Sequence, residues 1–116
     1  MSYVVLFRIR PRPGRDEAEY QRTFERMLEL VSGIDGFLGI EGFSGEDGSE
    51  LAVAKFSTDD AIRAWKEQPE HVATQQRGRD EFFSSYQVTV AAVIRSYEWA
   101  APAEPPVSAE LEGSVT

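Results

Sequence analysis

The chain has 116 residues, 41% of them hydrophobic and 28% charged, which is one domain's worth of ordinary globular composition. Twenty acidic residues against twelve basic ones leave a formal charge of −8, a field that repels nucleic acid and anionic membrane surfaces. There is no cysteine and only one histidine, His71, which excludes disulfides, thiolate nucleophiles and a multi-histidine metal site within one subunit.

A carboxylate-only magnesium or calcium site stays formally open, but the acidic residues are scattered and lack the DxDxDG-like spacing of a calcium loop, so no metal is expected. Met1–Phe7 carries no basic segment, and its apolar run stops at Arg8, unlike a signal peptide. No apolar stretch approaches the ~20 residues a membrane span needs. The expected location is cytoplasmic.

Tyr3–Ile9 is a β-branched and aromatic run closed by Arg10-Pro11-Arg12-Pro13-Gly14, which predicts a strand and a turn. From Asp16 to Val31 the period changes. Tyr20, Phe24, Met27, Leu28 and Val31 fall on one helical stripe. Asp16 with Glu19 predicts a capping box, and Gly33 sits where a C′ glycine would end the helix. Phe37–Phe43 and Leu51–Ser57 predict two strands joined by the polar hairpin loop Ser44–Ser49.

A second helical region opens at Ser57 or Thr58, with Asp59 and Asp60 on the N-terminal dipole and Ala61, Ile62 and Trp65 as its buried stripe. Pro69 is expected to restart the helix at its first position, with a further turn or two to Gly78 or Phe83. A long last strand is predicted over Tyr86–Trp99.

The order β-α-β-β-α-β predicts an α+β, ferredoxin-like fold with a four-stranded antiparallel sheet. In Tyr3–Ile9 and Val88–Ile94, apolar residues occupy both alternating faces. Helices cover one face of such a sheet. The other is expected to be covered by a second copy, giving a homodimer through the sheet face with a barrel-like β core. Residues 1–99 form the expected domain. The Pro-, Ala- and Glu-rich tail Ala100–Thr116 has the composition of a flexible segment, and if ordered it must be held by the partner subunit or by a neighbouring molecule.

The stretch Trp65-Lys66-Glu67-Gln68-Pro69-Glu70-His71, continued by Gln75-Gln76-Arg77-Gly78-Arg79, Phe82-Phe83 and Tyr86, resembles the second half of antibiotic biosynthesis monooxygenase domains. With the element order, the resemblance covers residues 1–99. It implies a dimeric α/β barrel and, for some members, cofactor-independent oxidation of a phenol, anthrone or quinol by O₂. Other members degrade heme. Deprotonated electron-rich phenols can pass an electron to O₂ directly, so the protein need supply only an apolar cage, a group that favours the phenolate, and exclusion of water. The chain departs from the family in having no asparagine, so the pocket asparagine of the heme-degrading and quinone-forming branches has no counterpart.

Six residues are singled out. His71, near a helix N-terminus that favours the neutral imidazole, would accept a phenolic proton; the structural alternative is a cap or a bond to a backbone carbonyl. Tyr86 would hydrogen-bond a substrate oxygen, or be tied to the backbone at a strand start. Trp65, Phe7, Phe82 and Phe83 would line the pocket, with core packing as the alternative for each aromatic. Phe7 and Arg8 alternate, so only one can face the helices. Arg77 and Arg79 flank Gly78 and would bind an anionic group; with Asp80 and Glu81 beside them, surface ion pairs are the expected use. A different class of function is a non-catalytic small-molecule-binding or assembly module of the same fold.

Overall fold

The computed structural model describes residues 1–103. Its elements in chain order are β1 (Tyr3–Pro11), α1 (Glu17–Ser32), β2 (Phe37–Ser44), β3 (Glu50–Phe56), α2 (Asp59–Glu67), α3 (Pro69–Arg77), one π-helical turn (Gly78–Phe82) and β4 (Phe83–Ala92). The antiparallel sheet has the order β2-β3-β1-β4, with β1 paired to both β3 and β4. This is the ferredoxin-like plan, with its second helical segment divided in two.

The caps explain where the helices start. Asp16 accepts from the Glu19 N–H at 3.0 Å to open α1, and Thr58 accepts from the Ala61 N–H at 3.1 Å to open α2. Only half of the expected capping box forms. The Glu19 carboxylate turns instead to Arg22 and Arg77, at 2.6 and 2.9 Å. Gly33 closes α1 but with φ −86°, in the right-handed region. The left-handed residue is Gly36, φ +97°, where a Cβ would stand 2.9 Å from Ala61 Cβ. Pro69 begins α3 as predicted, and Gln68 caps it by accepting from the His71 N–H at 2.7 Å.

The last strand differs from the sequence expectation at both ends. It starts at Phe83, because the π turn delivers that residue already extended opposite Pro11. It ends at Ala92, because Ala92 pairs with Tyr3, the first residue of β1; beyond it the Val93 N–H donates to the Ser2 carbonyl at 2.8 Å. Ile94 and Trp99 therefore lie outside the sheet. Of the expected tail Ala100–Thr116, residues 104–116 lie outside the described residues.

Register assigns the faces, since directly paired residues share one. Val5 packs on the core of Val31, Phe56 and Ala61, so its face, with Phe7 and Ile9, is the helix side. Ala52, Ala54 and Phe56 of β3, and Tyr86, Val88 and Val90 of β4, lie on the same side. Phe56 is fully enclosed, and its burial contributes about 1.5–3 kcal/mol. The opposite face carries Val4, Leu6, Val53, Leu51 and Phe43 and is covered by no element among the described residues. The helix layer is itself offset. Val88 and Val90, at the β4 edge, remain half exposed although they face the helix side.

Candidate active site

Two ends of the helix side hold the residues singled out from sequence. The first is built where α2 meets α3. The indole of Trp65 and the imidazole of His71 stack with 3.8 Å between centroids and 11° between planes. Gln68 and Pro69 make this possible: the chain breaks at Gln68, whose N–H bonds back to the Trp65 carbonyl, and restarts at once. That break brings the ring six residues after Trp65 back over it.

His71 Nδ1 lies 2.8 Å from the Trp65 carbonyl oxygen. A carbonyl can only accept, so Nδ1 carries the proton, and the neutral ring presents its lone pair at Nε2. The nearest polar neighbour of Nε2 is the Gln75 amide at 3.5 Å, too long for a strong bond. Burial lowers the His71 pKa below its ordinary value, and the bond to the Trp65 carbonyl opposes that shift only in part. The neutral form expected from the sequence is thus favoured, with burial as the main cause.

Trp65 also walls an apolar groove between α1, α2 and the sheet, with Phe24, Met27, Leu28, Val31, Phe37, Ile40 and Ala54. The groove encloses about 60 Å³, well under the ~150 Å³ cavity that holds a benzene ring. Phe24 and Leu28, on α1, are partly exposed at the mouth of the groove.

The second end gathers the other four aromatics. Phe7 contacts Phe83 and Tyr86 edge to face, with centroids 5.6 and 5.5 Å apart. Tyr20 of α1 joins Phe82 and Phe83 at 5.4 and 6.1 Å. Phe82 is buried in the core, whereas Tyr86 is partly exposed and its hydroxyl accepts from Arg79 Nη1 at 2.8 Å. Gly78 is needed here. A Cβ at Gly78 would lie 2.6 Å from the Phe83 ring.

No aromatic pair joins Trp65 or His71 directly to Phe7, Phe82, Phe83 or Tyr86 among the described residues. The link runs along α1: Tyr20 meets Phe83, and Phe24, 6.5 Å from Tyr20, lines the Trp65 groove. Tyr20 and Phe24 lie on the helical stripe legible in the sequence, though nothing in the pattern marked them as connecting two sites. Arg77 does form surface ion pairs, with Glu81 at 2.7 Å and Glu19 at 2.9 Å. Arg79 does not; it bonds Tyr86 and Gln76 instead. Among the described residues, no group of three or more His, Asp and Glu side chains is placed to hold a metal ion.

A four-stranded antiparallel sheet with its helices in this order places the chain in the ferredoxin-like class of small α+β proteins. Residues 2–77 match the family described as Antibiotic biosynthesis monooxygenase, and the chain belongs to that family. It is 38% identical over 82 residues to the uncharacterized protein YqjZ of Bacillus subtilis (strain 168), covering 71% of this chain and 72% of that protein. Among solved structures, Rv0793 of Mycobacterium tuberculosis is similar, with a TM-score of 0.72 at 16% identity, covering 84% of this chain and all of that one. SnoaB, a cofactor-independent oxygenase of Streptomyces nogalater, is similar with a TM-score of 0.68 at 16% identity, covering 82% of this chain and 95% of that one. At such identities these two likenesses establish the fold.

Proposed function

We propose that this protein is a cofactor-independent monooxygenase of a small aromatic phenol, anthrone or quinol. The observation that carries the reading is the Trp65–His71 unit. One imidazole nitrogen is anchored to the Trp65 carbonyl, the other is a neutral acceptor, and the indole on which the ring stacks lines an apolar groove. A phenolic or benzylic proton passes to His71 Nε2, and the resulting anion gives an electron to O₂. For an anthrone the CH₂ carbon becomes a carbonyl, one oxygen atom entering the ring and the other leaving as water. Trp65 serves as the flat wall against which the substrate ring lies. Tyr86, its hydroxyl oriented by Arg79, is the second hydrogen-bonding group, Phe83 lines that end of the substrate site, and Phe7 and the buried Phe82 brace Phe83 from behind. The enzyme works as a homodimer joined through the uncovered sheet face, in the cytoplasm, without metal or flavin.

Oxygen uptake by metal-stripped protein offered a panel of anthrones and quinols tests the reading. Uptake well above the spontaneous rate is expected, unchanged by a chelator and lowered about 10²-fold or more in His71→Ala. Equal rates with and without His71 would remove it from the chemistry.

A second reading is favoured by the small volume of the groove. A helix–sheet space of about 60 Å³ suits a binding or assembly module that keeps the fold without the reaction. On that reading, no substrate in the panel raises oxygen uptake above background.

A further inference from the structure

Seven of the ten arginines are ion-paired, as expected in a chain with excess carboxylates. Arg12, Arg79 and Arg95 are in no ion pair among the described residues, and the first two lie together. Arg12 Nη2 donates to the Arg79 backbone carbonyl at 2.6 Å, so the two guanidinium-bearing segments are tied across the β1 end and the π turn. Arg79 Nη1 donates to the Tyr86 hydroxyl at 2.8 Å and Nη2 to the Gln76 side-chain oxygen at 3.0 Å. Neutral acceptors thus orient Arg79 without cancelling its charge, and both guanidinium groups keep several N–H donors uncommitted.

Both arginines line an open cavity of about 310 Å³ with Phe83, Ser84, Ser85 and Tyr86. This is the size class of small-molecule pockets and about five times the groove beside Trp65. Its chemistry is also different. Two cations and two serines supply donors at the polar side, while Phe83 and Tyr86 supply ring surface held in place by Phe7. A guanidinium fork matches a planar carboxylate, and a ring attached to that carboxylate would meet Phe83 or Tyr86. A free phosphate would use the cations and leave the rings idle.

We propose that this cavity is a binding site for an aromatic carboxylate, gripped by Arg12 and Arg79 and stacked against Phe83 and Tyr86. The site shares Phe83 and Tyr86 with the oxygenase reading but neither contains His71 nor requires turnover, so benzoate binding and oxygen uptake can each fail without the other. It also gives an anionic ligand a local foothold on a protein whose overall field repels anions.

The experiment is a titration of the full chain with benzoate, followed by amide chemical shifts. Benzamide is the neutral analogue and inorganic phosphate the ring-free anion. Saturable shifts centred on Ser84–Tyr86 are expected with benzoate, and none with benzamide. Arg79→Gln and Arg12→Gln should each weaken binding about tenfold, the loss of a charge-assisted hydrogen bond. Both side chains are at the surface, so unchanged melting temperatures will verify that the variants fold. Absence of saturation, equal binding of benzamide, or undiminished binding in both variants overturns the proposal. Phosphate binding as tight as benzoate also overturns it, because the rings would then contribute nothing.

Discussion

The imidazole of His71 lies flat on the indole of Trp65, 3.8 Å away, while its Nδ1 is held by the carbonyl of that same residue. A protonated imidazole in this position would quench Trp65 emission by accepting charge from the excited indole. Fluorescence is therefore expected to fall as His71 takes up a proton, with a midpoint below the ordinary histidine value of about 6.5 because burial disfavours the charged ring. Trp99 is exposed and contributes background without this dependence. His71→Gln should abolish the transition. A midpoint at or above the ordinary value would mean that the ring is more hydrated, or more stabilised by the indole face, than the geometry indicates.

The same shift makes a prediction about stability. His71 has a lower pKa folded than unfolded, so on acidification the unfolded chain takes up a proton first. The contribution is fully present above about pH 6.5 and declines as pH falls through that value toward the folded pKa. Urea unfolding between pH 7.5 and pH 5.5, roughly the window in which histidine titrates, is the measurement. Wild type should lose stability across it, and His71→Gln should lose less. Parallel pH slopes in the two proteins would assign the acid sensitivity to carboxylates instead.

Two glycines that end helical segments should respond to alanine with opposite signs. At Gly78 the added methyl meets the Phe83 ring at 2.6 Å, and Phe83 is braced by Phe7, Tyr20 and Tyr86. Gly78→Ala should destabilise by about 1–3 kcal/mol, the usual range for overpacking. At Gly33 the nearest atom is the Leu30 carbonyl oxygen at 3.5 Å and the backbone is already right-handed, so Gly33→Ala should stabilise by about 0.4–1 kcal/mol. Thermal unfolding of both variants gives the signs directly. Destabilisation by Gly33→Ala would show that this end of α1 needs glycine for a reason other than space or dihedral angle.

The fold was legible because its signals are local. The stripe from Tyr20 to Val31, the acidic start of α2 and Pro69 each specify an element within a few residues. The end of β4 was not, because it is set by where β1 begins: Val93 and Ile94 have strand-forming side chains but no β1 backbone beside them. The candidate site was partly legible. Trp65 and His71 are six apart, a spacing that a continuous helix would place on different faces, and only the break at Gln68 stacks them. The Arg79–Tyr86 bond crosses a π turn, whose wider spacing no helical period anticipates. The expected pairing of Arg79 with a neighbouring acid failed because Gln76 takes Asp80 and Arg77 takes Glu81.

The uncovered sheet face carries the last prediction. Leu6 and Val53 are paired neighbours at its centre, flanked by Val4, Leu51 and Phe43, with Arg8, Glu41 and Lys55 around them, the apolar centre and polar rim of an interface. Past Ala92 the chain leaves the sheet with Ile94, Tyr97 and Trp99 more than four-fifths exposed, at 88%, 84% and 82%. Both features gain by burial against a second copy, at about 25 cal/mol per Å² of apolar surface. Light scattering should therefore give a mass near twice the 13.0 kDa of one chain. Leu6→Glu places a charge at the centre of the joint and should yield a folded monomer, with circular dichroism verifying the fold. Truncation after Trp99 should leave the domain folded, whereas truncation after Ala92 removes Ile94, Tyr97 and Trp99 and should weaken association further. A monomeric wild type in dilute solution would mean that the apolar residues on this face serve a different partner. A dimer that survives both Leu6→Glu and the shorter truncation would place the joint on another surface, where the half-exposed Val88 and Val90 at the β4 edge are the next residues to substitute.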